Sequence, residues 1–185
     1  KALAQYLETK RLAFPRFYFV SPAELLDILS NGNAPEKVMR HLSKLFDSIA
    51  RLELVDDKRI KDAKLKEAIA MYSKESEKVD FPSSCDLNGQ VEVWLNRVLD
   101  KMRETVRYCL AEAINAYEDK PRELWVQDYP AQIALTGSQV YWTMEVNSAF
   151  ARIEEGYENG LKDYYKKAVG QLNALIEMLL TDISP

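Results

Sequence analysis

The segment Arg11-Leu-Ala-Phe-Pro-Arg-Phe-Tyr-Phe-Val-Ser-Pro-Ala-Glu24 constrains this chain more than any other, because it forces several changes of backbone conformation within a few residues. Pro15 removes a backbone donor and clashes with the preceding turn, so the helical pattern of Leu3, Tyr6 and Leu7 has to stop before it. The aromatic run Phe17, Tyr18, Phe19 and Val20 favours a strand at about 16–20, with Phe17 and Phe19 on one face and Tyr18 on the other. Ser21, Pro22 and Glu24 then restart a helix as N-cap, first helical residue and return partner of a capping box. Phe14, Pro15, Phe17 and Phe19 together form a candidate structural junction between helical lobes.

Downstream, Leu25, Leu26, Ile28 and Leu29 fill a short helix that ends at the turn Asn31-Gly32-Asn33. Pro35 opens another, with Val38, His41 or Leu42, Leu45, Phe46 and Ile49 at helical spacing. Leu52 and Leu54 alternate with charges, as in a strand. Residues 56–67 are highly charged and predict an exposed loop, with helix around Lys61–Ala68. The β-capable runs 68–73 and 78–81 flank four polar residues and read as a hairpin. A lone hairpin is marginal in water, so the segment at about 16–20 is the expected third strand.

Asp86 or Asn88 can cap the next helix, whose broad apolar face runs from Val91, Trp94 and Leu95 to Ile114 and Tyr117 before Lys120-Pro121 ends it. Pro130 introduces a long helical stretch, 131–182. Gly137, Gly156, Gly160 and Gly170 interrupt it, leaving two shorter helices or one bent helix open. The expected fold is mainly α: a helical bundle with long C-terminal helices plus a small antiparallel sheet. Its expected lobes are 1–85, helical with the sheet, and 86–185, built of the long helices.

The residue inventory narrows function by exclusion. Among 185 residues, 25 Lys and Arg stand against 29 Asp and Glu, a net charge of −4, so no nucleic-acid partner is expected. The basic stretch Lys58–Lys61 is matched by Asp56, Asp57 and Asp62 and reads as a solvated face. No run of 18 apolar residues and no secretory signal occur; no membrane partner is expected, and Cys85 and Cys109 read as reduced cytosolic thiols. His41 is the only histidine, which excludes multi-histidine zinc sites and a ferritin-like di-iron site and leaves a Ser-His-Asp triad little basis. No Gly-x-x-x-x-Gly-Lys-Ser/Thr loop is present to cradle phosphates. Catalytic, metal and cofactor residues are therefore expected to be none, and the chain is not expected to be an enzyme by itself. Gly156 and Gly160 suit a close helix–helix approach. Trp125, Tyr129, Tyr141 and Trp142 can stack on a ligand, but at these helical spacings they read first as core.

Several stretches resemble the linker of dynein heavy chains, in its axonemal form. They are Tyr6-Leu-Glu-Thr-Lys-Arg-Leu-Ala-Phe-Pro-Arg-Phe-Tyr-Phe-Val-Ser21 with Glu24-Leu-Leu-Asp-Ile-Leu-Ser30, then Val38 through His41-Leu-Ser-Lys-Leu-Phe46, and Met71-Tyr-Ser-Lys-Glu75. Val91-Glu-Val-Trp-Leu-Asn96, Trp125-Val-Gln-Asp-Tyr-Pro-Ala131 and Phe150-Ala-Arg-Ile-Glu-Glu-Gly156 follow in family order. Residues 54–67 depart from the pattern. The resemblance implies a fragment of a longer heavy chain, just N-terminal to the first AAA+ module, acting as a lever that bends and straightens across the AAA+ ring. It implies ATP and Mg in the parent ring, none here. Its implied partners are that ring, other dynein subunits and, through the parent, microtubules, in the cytoplasm and cytoskeleton of a ciliary or flagellar axoneme. Trp125, Tyr129 and Trp142 become candidates for ring contact or interlobe packing. The competing expectation is a spectrin-like scaffold that docks partners without a power stroke; the Pro15 junction and the hairpin argue against it.

Overall fold

The computed structural model describes residues 1–55 and 66–181. The chain divides into two compact units, Lys1–Thr105 and Val106–Pro185. This boundary falls inside a helix rather than at 85/86, because Trp94, Leu95 and Val98 of that helix are buried in the core of the first unit.

In the first unit, α1 (Ala2–Ala13) stops where Pro15 requires it, and the Phe14 N–H closes the last turn on the Lys10 carbonyl, 3.0 Å away. Helix α2 (Pro22–Ser30) starts on the expected capping box: the Ser21 Oγ accepts the Glu24 N–H, and the Glu24 carboxylate accepts the Ser21 N–H at 2.9 Å. It ends at Asn31, as the turn signal predicts.

Between these helices the strand expectation fails. Pro15–Phe19 is a 3-10 helix, not a strand. Proline presets the φ that such a turn needs, and the Phe17 N–H bonds back to the Phe14 carbonyl at 3.0 Å, so local hydrogen bonding overrides the β preference of the aromatics. With three residues per turn, side chains do not alternate: Phe17 is fully buried, while Tyr18 and Phe19 are both exposed.

The segment expected as one helix from Pro35 to Ile49 is broken into α3 (Pro35–Val38), a 3-10 turn (Met39–His41) and α4 (Leu42–Leu45). Phe46 turns extended and Ser48 takes a φ of 65°, which releases Ile49 into a strand. That strand, β1 (Ile49–Leu54), is the true third member of the sheet. It pairs antiparallel with β2 (Glu67–Ser73), placing Leu52 opposite Met71, and β2 pairs antiparallel with β3 (Lys78–Asp86), placing Met71 opposite Val79. The hairpin expected at 68–81 is therefore present, with β3 running further, to Asp86. Pro82 is accommodated because β3 is an edge strand and its register shifts there, between the Ala70–Asp80 and Ala68–Cys85 pairs. Glu67 and Ala68 are strand, not helix; residues 56–65, with the basic stretch Lys58–Lys61, lie outside the described residues.

Ahead of helix α5 (Val91–Ala116), Asp86 accepts the Asn88 N–H at 2.9 Å and binds Arg97 of the helix at 2.8 Å. Its first turns complete the core around Phe14, Phe17, Leu25, Ile28, Leu45 and Trp94, all at most 1% exposed. Gly32 sits where Trp94 needs its carbonyl, accepting the indole N–H at 2.9 Å, and a Cβ there would come 3.0 Å from Val91.

The second unit holds the end of α5, the short α6 (Arg122–Trp125), α7 (Ala131–Glu154) and α8 (Gly160–Leu179). Of the two arrangements left open for 131–182, two helices is the observed one. The break is at Gly156, whose φ of +102° an L side chain resists; Gly137 and Gly170 lie within helices.

Candidate functional site

The first candidate group is an aromatic knot in the first unit. Phe14 and Phe17 meet edge to face with centroids 5.0 Å apart, and Phe14 lies 6.1 Å from Phe46. Arg16 covers Phe46 at 5.1 Å and donates to the Leu45 carbonyl at 3.0 Å. Three of the four expected junction residues thus lie together in the knot or form its turn: Phe14, Pro15 and Phe17. Phe19 does not; at 67% exposure it lies outside the core.

The second group is built at the end of α5. The last carbonyls of a helix have no partner within it, and here aromatic side chains from later elements supply the donors. The Trp125 indole N–H donates to the Ala113 carbonyl at 2.8 Å, and the Tyr141 hydroxyl donates to the Ile114 carbonyl at 2.8 Å. The Tyr129 hydroxyl reaches the Glu112 carbonyl at 3.4 Å. Around them Tyr117 stacks on Tyr141 at 3.7 Å and meets Trp125 edge to face at 5.0 Å. Burial raises the pKa of Tyr129 and of Tyr141, which keeps both hydroxyls protonated as donors.

Trp125 is completely buried and offers no surface to a partner. Tyr129 is half-buried against it, 5.7 Å between rings. Trp142 is separate from both in environment, 60% exposed on α7. The structure therefore brings Trp125 and Tyr129 together as a helix cap and leaves Trp142 at the surface. Sequence periodicity flagged all three without distinguishing these roles. Arg122 was missed; its guanidinium lies over Tyr117 and Trp125, 5.7 and 5.3 Å from their centroids, and donates to Ser138 Oγ at 2.7 Å.

A cleft of about 330 Å³ beside Arg122 is lined by Lys120 and Lys167, but Asp128 neutralises the first, at 2.6 Å, and Glu145 the second. His41 is buried with Nε2 2.6 Å from the Asp27 carboxylate, which Arg40 also binds at 2.6 Å. Cys85 and Cys109 are free thiols whose pKa burial raises, the opposite of what a nucleophile needs. Among the described residues no group of three or more His, Cys, Asp or Glu could hold a metal ion, and no helix is long and apolar enough to cross a membrane.

What stands out instead is surface. Helices α7 and α8 run antiparallel, in contact close enough that a Cβ on Gly160 would lie 2.5 Å from the Ala149 carbonyl oxygen; of the two glycines expected at a close approach only Gly160 makes one, since Gly156 lies in the turn with nothing within 4 Å of its Cβ position. Outside that contact both helices expose large apolar side chains, among them Leu135, Trp142, Tyr165 and Leu172 at 56–68%. Leu135 and Tyr165 had gone unremarked in the sequence, although their spacing to Trp142 and Leu172 is seven residues in each case, two helical turns. Exposed apolar side chains of this size form a surface suited to contact with another element.

Comparison with known proteins gives this surface a setting. The family described as dynein heavy chain, N-terminal region 2, matches residues 1–113. The chain is 63% identical over 180 residues, 97% of its length, to the ciliary dynein beta chain of Tripneustes gratilla. It is 61% identical over 184 residues to human dynein axonemal heavy chain 17 and 58% identical over 185 residues to dynein axonemal heavy chain 11 of Sus scrofa, in both cases across its whole length. It spans about 4% of the length of each of these relatives.

Proposed function

The chain belongs to the dynein heavy chain, N-terminal region 2, family, and from that premise we propose that it is a mechanical linker element of an axonemal dynein motor. The observation that carries this reading is identity near 60% to axonemal and ciliary heavy chains over essentially the whole chain. The parent heavy chain is then a microtubule motor ATPase of the ciliary or flagellar axoneme, with ATP and Mg held in its AAA+ ring. This piece arches against the ring and transmits its conformational cycle to the rest of the molecule.

The physical properties described above suit such a role. A lever needs segments that resist bending, and helices of 26, 24 and 20 residues, each with a packed face, provide them. It also needs surface that a neighbouring body can hold with different free energies in different states, since only a differential interaction moves a two-state equilibrium. Moving a population from 1:99 to 99:1 takes about 5.5 kcal/mol. A few exposed side chains the size of Trp142 match that scale, at roughly 1.5–3 kcal/mol each on full burial.

The test is ATP-dependent microtubule gliding by the whole heavy-chain motor with and without residues 1–185. Retained ATPase with lost or severely slowed gliding is the expected result. Unchanged gliding overturns the lever reading and leaves a docking scaffold in its place.

A further inference from the structure

Three of the six glycines in this chain follow an asparagine: Asn31-Gly32, Asn88-Gly89 and Asn159-Gly160. Such a pair carries a reaction of its own. The glycine nitrogen and the asparagine Cγ can close a five-membered ring, and a glycine has no Cβ to shield the approach. Closure needs a peptide N–H that can give up its proton and a backbone free to bring the two atoms together. A hydrogen-bonded N–H in packed backbone meets neither need.

The fold gives the three pairs different surroundings. Gly32 is buried: its N–H donates to the Leu29 carbonyl at 3.4 Å, and a Cβ there would stand 3.0 Å from Val91. Asn31 before it donates its side-chain amide to the Asp27 carbonyl and carboxylate, at 2.9 and 3.2 Å. Gly160 is buried too, with its N–H on the Tyr157 carbonyl at 3.2 Å and its Cα pressed against Ala149. Gly89 differs in each respect. It is exposed in the loop between β3 and α5, and its N–H makes no hydrogen bond among the described residues. Only the end of the Arg97 side chain comes near its Cβ position, at 3.6 Å. Asn88 is exposed as well, and its carboxamide donates to Asp86 Oδ1 at 2.7 Å, on a side chain that is itself 53% exposed.

We propose that Asn88 is a site of spontaneous deamidation, singled out by the fold from the other two pairs. The Gly89 nitrogen gives its proton to hydroxide and attacks the Asn88 Cγ. A new C–N bond closes an imide ring as the bond to the carboxamide nitrogen breaks, and that nitrogen takes a proton from water and leaves as ammonia. Water then adds to one of the two imide carbonyls and opens the ring, leaving aspartate or isoaspartate at position 88. Either product puts a carboxylate where the carboxamide now donates to Asp86, so a hydrogen bond becomes a repulsion between like charges. It does so at the corner where the Asp86 carboxylate and carbonyl hold Arg97 of α5, both at 2.8 Å. Isoaspartate also lengthens the main chain by one carbon just before the turn that buries Val91, Trp94 and Leu95. The modification therefore loosens the first turns of α5 from the end of β3. The inference rests on the geometry of the first unit and not on the lever reading.

The experiment ages the full-length heavy chain at mildly alkaline pH, native and, in parallel, unfolded in guanidinium chloride. Peptide mass spectrometry follows conversion at all three asparagines. In the native chain Asn88 should convert at least about tenfold faster than Asn31 and Asn159, and in the unfolded chain the three rates should converge. Equal native rates overturn the proposal. So does a lead for Asn88 that is as large in the unfolded chain, since the sequence and not the fold would then make the choice. Hydrogen exchange at the Trp94 and Leu95 amides should be at least about threefold faster in Asn88→Asp than in the parent, with β2 unchanged. Unaltered exchange in α5 overturns the loosening of this corner.

Discussion

Gly160 packs against the Ala149 backbone so tightly that a Cβ would stand 2.5 Å from the Ala149 carbonyl oxygen, whereas Gly170, ten residues later on the same helix, has nothing within 4 Å of that position. The two glycines therefore predict opposite outcomes. Gly160→Ala has to push α7 and α8 apart and should cost about 1–3 kcal/mol. Gly170→Ala meets open space and should stabilise the helix by about 1 kcal/mol. Urea unfolding of the two variants checks both signs. Equal midpoints for Gly160→Ala and the parent would show that the helices are not in backbone contact.

Removing the donors that cap α5 should destabilise the second unit beyond the loss of ring volume. Trp125→Phe keeps an aromatic ring but leaves the Ala113 carbonyl without the indole N–H that meets it at 2.8 Å. Tyr141→Phe takes the hydroxyl donor from the Ile114 carbonyl, which keeps only the longer bond from the Tyr117 N–H at 3.4 Å, while preserving the stack on Tyr117. Tyr141→Phe should cost about 1 kcal/mol. Trp125→Ala, which empties a fully buried site, should cost about 3–5 kcal/mol. Thermal melts of the three variants should fall in that order of severity, with Trp125→Phe between the other two.

What the sequence made legible was local chemistry. The Ser21–Glu24 box, the stop at Pro15 and the turn at Asn31-Gly32-Asn33 each involve residues within four positions of one another, and each is present as expected. The choice of third strand was not local. Phe17–Val20 has stronger β preference than Ile49–Leu54, yet Pro15 and the Phe14 carbonyl commit it to a 3-10 turn, and the sheet takes the weaker segment. The roles of Trp125 and Trp142 were equally hidden. Both sit in aromatic-rich helical pattern, and only the meeting of Trp125 with a carbonyl twelve residues earlier separates a cap from a surface residue. On α8, apolar residues cover well over one face, so periodicity announces a buried helix without telling which part α7 covers.

Acid should weaken the first unit through two carboxylates. Hydrogen bonds from Lys44 and from Ser21 hold the Glu24 carboxyl down at about 2, and His41 and then Arg40 lower that of Asp27. A carboxylate whose pKa is depressed by folding contributes stability that is complete above its unfolded value, near 4, and is lost as pH falls through the folded value. The stability of the parent chain should thus decline from about pH 4 toward pH 2. Glu24→Gln with Asp27→Asn should flatten that part of the profile, measured as urea midpoint against pH. An unchanged slope in the double variant would mean that other carboxylates carry the acid response.

Phe17 and Phe19 are two residues apart and should behave as opposites, which a strand reading of this segment does not allow. Phe17 is fully buried, edge to face with Phe14 at 5.0 Å, in a core that also holds Leu25, Ile28 and Leu45. Phe17→Ala should cost about 3–5 kcal/mol and lower the melting temperature of the first unit sharply. Phe19 ends the 3-10 turn with 67% of its surface exposed, so Phe19→Ser should change stability by less than about 0.5 kcal/mol. If the segment paired as a strand, its alternate residues would share one face, and both substitutions would be costly. Comparable losses at the two positions would therefore restore the strand and undo the turn. A large loss at Phe17 alone fixes the turn as the element that carries the chain from α1 to α2, with Phe17 as its anchor and Phe19 free for an external contact.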